Sequence, residues 1–310
     1  MADAHLLDGM LGRALDYAGL AMIASPSLWQ ALTRSAGRHR RLIFGGTLSA
    51  TAGALISLHA VTLMAFSPFV PDNSTALEIA ELDLGLRDYY QVLGSSAFGK
   101  VWLLHVVAFL SAALISGYGR VTYASAWMGL ILAGISAAGL ALMGHAGEYG
   151  WQSWRYVTDL THLSVVLTWL AGLGMLTAGR FGAYCQIDPV AIRRFSRLAG
   201  WLMMIAILSG ILRLYLQDVS LAALSLDIYG WVLAGKLLAL LGVLLSAYSL
   251  RRWLATSESM GNPPWRRFDD RLSAEVFFAA VLILMAAVLT QLPPPPPDPV
   301  PATARYLPSG

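Results

Sequence analysis

The sequence has little charge for its length, and this lack limits the class of protein it can encode. Asp, Glu, Lys and Arg make up 13% of the 310 residues, whereas hydrophobic residues make up 57%. Soluble proteins carry about 25% charged residues. A soluble chain this apolar would expose large apolar patches and aggregate. The composition therefore predicts an integral membrane protein. It excludes a disordered chain, a nucleic-acid-binding domain and most soluble enzymes.

Cysteine and the common catalytic motifs are also scarce or missing. The single cysteine, Cys185, excludes an intramolecular disulfide framework and a CxxC metal site. The sequence contains no GxxxxGK[ST], HExxH or GxSxG motif. Its first dozen residues include Asp3, His5 and Asp8 and no basic stretch, so we expect no cleavable signal peptide. We expect one integral membrane domain over residues 1–310 that is not an enzyme.

Long hydrophobic stretches are what the sequence does contain. A helix needs about 20 apolar residues to cross the hydrocarbon core, and backbone groups in lipid must be satisfied within the segment. No alternating pattern typical of a barrel is present. We therefore predict an all-α fold with eight transmembrane helices, the first being the weakest because it contains Asp16 and Pro26. The predicted spans are 11–32, 42–66, 97–118, 121–143, 157–179, 197–217, 229–251 and 273–292.

The charged loops predict how these spans are oriented. Fourteen of the 21 basic residues fall in alternate loops: Arg34, Arg38, Arg40, Arg41, Arg120, Arg180, Arg193, Arg194, Arg197, Arg251, Arg252, Arg266, Arg267 and Arg271. By the positive-inside rule that side is cytoplasmic, so both termini are predicted to be periplasmic. These arginine runs are therefore topology signals and not a nucleic-acid surface. The run Pro293 to Pro297 ends the last helix, and 293–310 is predicted to be a Pro-rich periplasmic tail.

Four of the six histidines lie at a similar depth. At about 1.5 Å per helical residue, His59, His105 and His162 lie roughly 7–12 Å below the outer ends of their spans. His145 follows the outer end of span four directly. Ionisable residues inside a membrane are costly and are candidates for function. We therefore group His145, His162, His59 and His105 as one layer in the outer third of the bundle.

This layer predicts a metal site that is loaded from the periplasm. Imidazole is a preferred ligand of copper and zinc. Met64 and Met143 lie at the same depth, and their thioethers would favour Cu(I). Packing is the favoured role for them, because no MxxM or MxxxM cluster is present. The copper oxidation state stays open. For His59 and His105, a hydrogen bond between helices is the alternative interpretation.

Charged residues near the histidine layer are predicted to support it. Asp159 stands three residues before His162 on the same helical face, where it can accept the second N–H of the imidazole. Arg155 is an alternative partner for Asp159. Lys236 lies about 10 Å into span seven and is expected to face a polar interior, paired with Asp159 or Asp16. Arg213 is close enough to a helix end to extend toward the membrane surface.

The residues in the second half of the chain resemble a known family. The resemblance covers residues from about 144 to 297 and rests on the order and spacing of its motifs. They are Gly144-His145-Ala146-Gly147, Asp159-Leu160-Thr161-His162, Trp169 and Gly172, Arg194-Phe195-Ser196, Ser209-Gly210, Tyr229-Gly230 through Lys236, and Glu275 followed by the prolines. This pattern resembles the CopD family of bacterial inner-membrane copper-resistance and copper-uptake proteins.

The resemblance implies copper handling at the bacterial inner membrane, alongside a separate periplasmic copper-binding protein of the CopC type. The family pattern includes His145, Asp159, His162 and Lys236. His59 and His105 are added to the site from their depth alone.

Two other functions remain open at this point. A b-type cytochrome could clamp one haem between His59 and His105 or His162. Alternatively, the chain could dock a periplasmic copper carrier without transporting the metal, using the acidic loop 72–88. The plain alternative for that loop is a solvated segment.

Overall fold

The computed structural model describes residues 3–33, 39–66, 84–118, 122–181, 189–216, 228–257 and 265–292. Within these ranges the chain forms nine α-helices and no β-strand. The helices are α1 (Asp3–Thr33), α2 (Arg40–Phe66), α3 (Leu86–Ser95), α4 (Ala97–Tyr118), α5 (Tyr123–Leu142), α6 (Trp154–Phe181), α7 (Pro189–Leu216), α8 (Ile228–Ser257) and α9 (Trp265–Leu289). The predicted all-α class is confirmed. Cys185, most of the acidic loop 72–88, and the tail 293–310 lie outside the described residues.

Seven of the described helices, α2 and α4 to α9, are long and apolar enough to cross a membrane. Each coincides with one of the predicted spans 42–66 to 273–292. The chain is therefore a multi-pass membrane protein.

Helix α1 contains the remaining predicted span, 11–32, but does not belong to the seven apolar helices. It packs against α2, α4, α5, α6, α7 and α9. Leu7 and Leu11 near its start are exposed. Because other helices surround the rest of α1, none of its side chains from Gly12 to Thr33 is exposed. This position explains how α1 can carry Arg13 and Asp16, both buried, in a stretch that would otherwise face hydrocarbon.

Glycines bring α1 and α2 close together. Gly12 and Gly19 on α1 face Gly53 and Gly46 on α2, with a spacing of seven residues on each helix. A methyl group added at Gly19 would lie 2.7 Å from the carbonyl oxygen of Gly46. One added at Gly53 would lie 2.6 Å from the carbonyl oxygen of Gly12. Small residues at a helix interface permit this backbone approach, which is a common way of packing helices in membranes.

One short helix was not predicted from the sequence. Helix α3 follows the predicted acidic loop and begins after Gly85, whose N–H donates to the Asp88 carboxylate at 2.9 Å. It packs on α2 and α4. As a result, Tyr89 is placed against His59 of α2.

The polypeptide between α5 and α6 defines one end of the bundle. It contains a 3₁₀ helix, His145–Tyr149, which ends at Gly150 with φ of 82°. Helices α6 and α8 begin at this end, whereas α5, α7 and α9 finish there. We call it the His145 end, and the candidate site lies just below it.

Candidate functional site

A cavity of about 320 Å³ opens between the helices near the His145 end. Residues from α1, the end of α5, the 3₁₀ helix and α6 to α9 line it. His145, His162, Asp159 and Lys236 all contribute to its wall. The cavity therefore brings together the four residues that the family resemblance marks.

His162 is fixed in one orientation by α7. Its Nδ1 lies 3.0 Å from the carbonyl oxygen of Ala206 and 3.1 Å from Oγ of Ser209. Because a carbonyl oxygen only accepts hydrogen bonds, Nδ1 carries the proton and Nε2 keeps its lone pair. Metal-binding histidines commonly donate one ring N–H to a carbonyl group in this way, which orients the other nitrogen toward the metal.

Gly210 lies against the ring of His162. A methyl group at Gly210 would lie 3.4 Å from Cε1 of His162, in close contact with the ring. Ser209 and Gly210 form one of the motifs behind the family resemblance. In the structure this motif contacts the imidazole ring of His162.

His145 has a ring nitrogen without a protein partner. Its Nδ1 lies 3.6 Å from Oε1 of Glu148 in the same 3₁₀ helix. Its Nε2 is buried and makes no hydrogen bond. A buried polar atom without a partner is costly, and His145 itself lines the cavity, so a ligand that reached this nitrogen would satisfy it.

Asp159 does not have the role that the sequence analysis assigned to it. Its Oδ1 forms an ion pair with Arg213 at 3.0 Å, whereas the carbonyl of Ala206 accepts from His162. The alternative partner Arg155 instead lies over the ring of Tyr149, 4.1 Å from its centroid. Arg213 therefore turns into the bundle to meet Asp159, because a carboxylate at this depth needs a charged partner.

Two further cations face the cavity. Lys236 lines it but makes no ion pair or hydrogen bond within the described part of the chain. Arg13 lines it too, and its guanidinium donates to the carbonyl oxygens of Leu140 at 3.1 Å and Met143 at 2.6 Å. Arg13 was not among the site residues predicted from the sequence. A basic residue three positions before Asp16 in an apolar stretch was the signal that could have revealed it.

His105 lies in a different place, between α1, α4 and α5. Its Nδ1 is 2.7 Å from Oγ of Ser136, and its Nε2 is 3.7 Å from Oδ1 of Asp16. His105 and Asp16 are each 1% exposed. Neither Nε2 of His105 nor Oδ1 of Asp16 has a hydrogen-bond partner. His105 does not line the cavity. It forms a buried pair with Asp16 instead, and that pair is separate from His145 and His162.

The other predicted site residues also lie outside the cavity. Nδ1 of His59 is 2.7 Å from the hydroxyl of Tyr89, and the two rings stack. Met64 is exposed on α2, at 49%. Met143 packs against the hydrophobic core and supplies the carbonyl group that binds Arg13. The four predicted imidazoles thus fall into three groups, and only His145 and His162 share one cavity.

The described residues contain no group of three or more His, Cys, Asp or Glu side chains arranged to hold a metal ion. The metal site therefore stays a prediction, and the cavity reduces its imidazoles to two. Two nitrogen ligands suit a monovalent copper ion better than zinc, which prefers four ligands. The haem interpretation gains no support, because His59, His105 and His162 lie in three separate places.

These features define a polytopic α-helical membrane protein with a histidine-containing cavity near one end. The family model for copper resistance protein D, CopD, matches residues 189–289, which span α7 to α9. This match confirms the resemblance to the CopD family over that segment. It includes Ser209, Gly210, Lys236 and Glu275, whereas His145, Asp159 and His162 precede it. No curated protein and no solved structure gives a match to the chain.

Proposed function

We propose that this protein binds copper in the cavity at His145 and His162 and transports it across the bacterial inner membrane. The observation that carries the proposal is that two imidazoles, His145 and His162, line the same cavity. Nε2 of His145 is buried without a partner, and Nε2 of His162 keeps its lone pair. The CopD match on the opposite wall supports copper as the metal.

The proposed orientation places the His145 end in the periplasm. It takes α1 as an eighth span, so that both termini are periplasmic and the arginine-rich loops are cytoplasmic. A separate CopC-like protein would then deliver copper at the His145 end. The proposed function moves an ion and converts no substrate chemically.

A buried carboxylate supports an inward path for the ion. Trp169 lines the cavity, and the carboxylate of Glu275 interacts with its side chain. Glu275 is 6% exposed. It precedes the innermost α9 residue of the cavity wall, Ala279, by one helical turn. We therefore place Glu275 below the cavity floor as the next polar group that copper meets.

Copper binding and copper accumulation together test this proposal. We expect His145→Ala and His162→Ala each to weaken binding of copper to the purified protein by about tenfold or more, since each removes one of two ligands. Accumulation of copper in cells that express these variants should fall in parallel. His39→Ala is the matched control, because His39 lies at the opposite end of the bundle. Wild-type affinity in both site variants would refute the site.

Glu275→Gln separates transport from binding. The variant keeps the size of the side chain and the cavity ligands but removes the ionisable carboxyl group beneath them. We expect copper affinity within about twofold of wild type and a clear loss of uptake into proteoliposomes. Unchanged uptake would exclude Glu275 from the path.

A further inference from the structure

The cavity is much larger and more apolar than a copper ion requires. Its volume of about 320 Å³ is roughly ten times the share of one water molecule in the liquid, about 30 Å³. A volume of several hundred cubic ångströms is typical of sites for organic ligands. The cavity therefore has room for a second and larger ligand.

The wall of the cavity changes character with depth. On α6 the lining begins with Asp159 and His162 and continues inward to Leu167 and Leu170. The α9 wall likewise runs from Thr290 inward to apolar residues such as Ile283. A ligand that matches this wall has a polar group at the His145 end and an apolar body that extends toward the middle of the membrane.

The polar part of the cavity carries an excess of positive charge. Arg13, Arg213 and Lys236 line it, and Asp159 is the one carboxylate among the described lining residues. Asp159 pairs with Arg213, and among the described residues Arg13 donates to carbonyl groups. Lys236 makes no ion pair or hydrogen bond among the described residues, and the nearby charge of Asp159 is already shared with Arg213. One carboxylate does not balance three cations held away from water, so the polar group of the ligand is an anion.

Copper does not supply this missing charge. A copper cation at His145 and His162 adds to the positive charge of Arg13 and Lys236 instead of offsetting it. The second ligand therefore has its own site, defined by the cations and by the apolar wall beyond them.

The side of the cavity formed by α7 and α8 is the side on which the helices are least covered by protein. In the apolar membrane-spanning stretch of α7 and of α8, only 17% of the residues are buried inside the protein, compared with 39–44% in α2 and α4 to α6. Helix α8 packs mainly on α9. The cavity wall on this side is therefore made of helices whose other faces are exposed to the acyl chains.

We propose that this cavity is a specific site for one acidic phospholipid of the leaflet at the His145 end. Its phosphate lies near Lys236 and Arg13, and one acyl chain lies along the apolar wall formed by α6, α7 and α9. Basic pockets between transmembrane helices bind acidic headgroups elsewhere by the same electrostatic attraction. The site is independent of copper, so its existence can be tested on the metal-free protein.

The test compares lipids on the delipidated, full-length protein in an uncharged detergent with EDTA present. Native mass spectrometry measures retention of phosphatidylglycerol and of phosphatidylcholine with the same acyl chains. We expect one retained phosphatidylglycerol, bound about tenfold more tightly than phosphatidylcholine. Lys236→Met should reduce this preference by about fivefold, because one cation is lost.

Lys100→Met is the matched control. Lys100 is the other lysine of the chain, it is exposed on α4, and it does not line the cavity. Lys236→Arg keeps the charge and should retain the preference, which separates charge from folding. Equal retention of both lipids would overturn the proposal, as would an equal effect of the two Met variants. Preferential retention of a neutral quinone, or glycerol phosphate binding as tightly as the lipid, would also overturn it. Copper plays no part in these measurements, so failure of the copper site leaves their outcome unchanged.

Discussion

At the scale of single residues, the site depends on how α7 orients the ring of His162. The carbonyl oxygen of Ala206 accepts the hydrogen bond from Nδ1, Oγ of Ser209 lies beside it, and Gly210 lies against the ring. Helical spacing places these three positions on one face of α7. The orientation of His162 is therefore determined by residues that do not themselves face the metal as ligands.

Gly210→Val tests the contact between α7 and the ring of His162. The added methyl groups would enter the space next to Cε1 of His162, 3.4 Å from the position of Cβ, and turn the ring away from the cavity. We expect copper affinity to fall by about tenfold, in the range seen when groups that orient metal ligands are removed. Isothermal titration with copper measures this.

Gly134→Val is the control for the same change in side chain. A side chain at Gly134 of α5 meets no atom within 4 Å. We expect wild-type copper affinity in that variant. If both valine variants bound copper as the wild type does, orientation of His162 by Gly210 would be excluded.

The Asp159–Arg213 pair is the second feature at this scale. Its two side chains are 12% and 27% exposed, so removing either one leaves a partly buried charge without a partner. We expect Asp159→Asn and Arg213→Gln each to lower the midpoint of thermal unfolding in detergent. The double variant should lose less than the sum, with a coupling of roughly 0.5–3 kcal/mol. Additive losses would show that the ion pair contributes nothing to stability.

At the scale of helices, α1 organises the bundle. Six other helices pack around it, and its closest neighbour is α2, which it meets through glycines on both sides. A helix in this position carries Arg13 into the cavity wall and Asp16 toward His105. The stability of the bundle and the charge of the site are therefore both tied to α1.

Gly19→Ala tests the α1–α2 contact. The added methyl group would meet the backbone of α2 at Gly46 and Ala50, and a helical backbone cannot move aside as a side chain can. We expect a loss of roughly 1–3 kcal/mol, as in other overpacked interiors. Unfolding in detergent monitored by circular dichroism measures the loss.

Gly117→Ala on α4 is the comparison. Its methyl group would make an ordinary contact of 3.7 Å with Ile43, so we expect unchanged or slightly higher stability from the better helix propensity of alanine. Equal stability of the Gly19 and Gly117 variants would argue against close packing of α1 on α2.

At the scale of the whole molecule, the proposed direction of transport depends on which end faces the periplasm. Glu148 is exposed at the His145 end, and the sequence places Cys185 in a predicted cytoplasmic loop. In intact cells a membrane-impermeant maleimide should label Glu148→Cys in a Cys185→Ser background. The wild type should be labelled only after the membrane is permeabilised. The opposite labelling pattern would invert the proposed topology.

The sequence alone determined the helical class and the positions of the membrane helices. A span that faces lipid must be apolar along about 20 residues, and each of α2 and α4 to α9 contains such a stretch. The family resemblance also came from local motifs, and the match over residues 189–289 confirmed it for α7 to α9. Helix α1 was the weakest prediction because protein, and not lipid, surrounds it.

Only the tertiary structure decided which polar residues meet. Depth along a span placed four histidines in one layer, but depth says nothing about the direction in which a side chain points around its helix. Rotation and packing place His145 and His162 on one cavity, His105 against Asp16, and His59 against Tyr89. Partners such as Asp159 and Arg213 lie 54 positions apart in the sequence, on α6 and α7. Their pairing follows from helix contacts that no local pattern encodes.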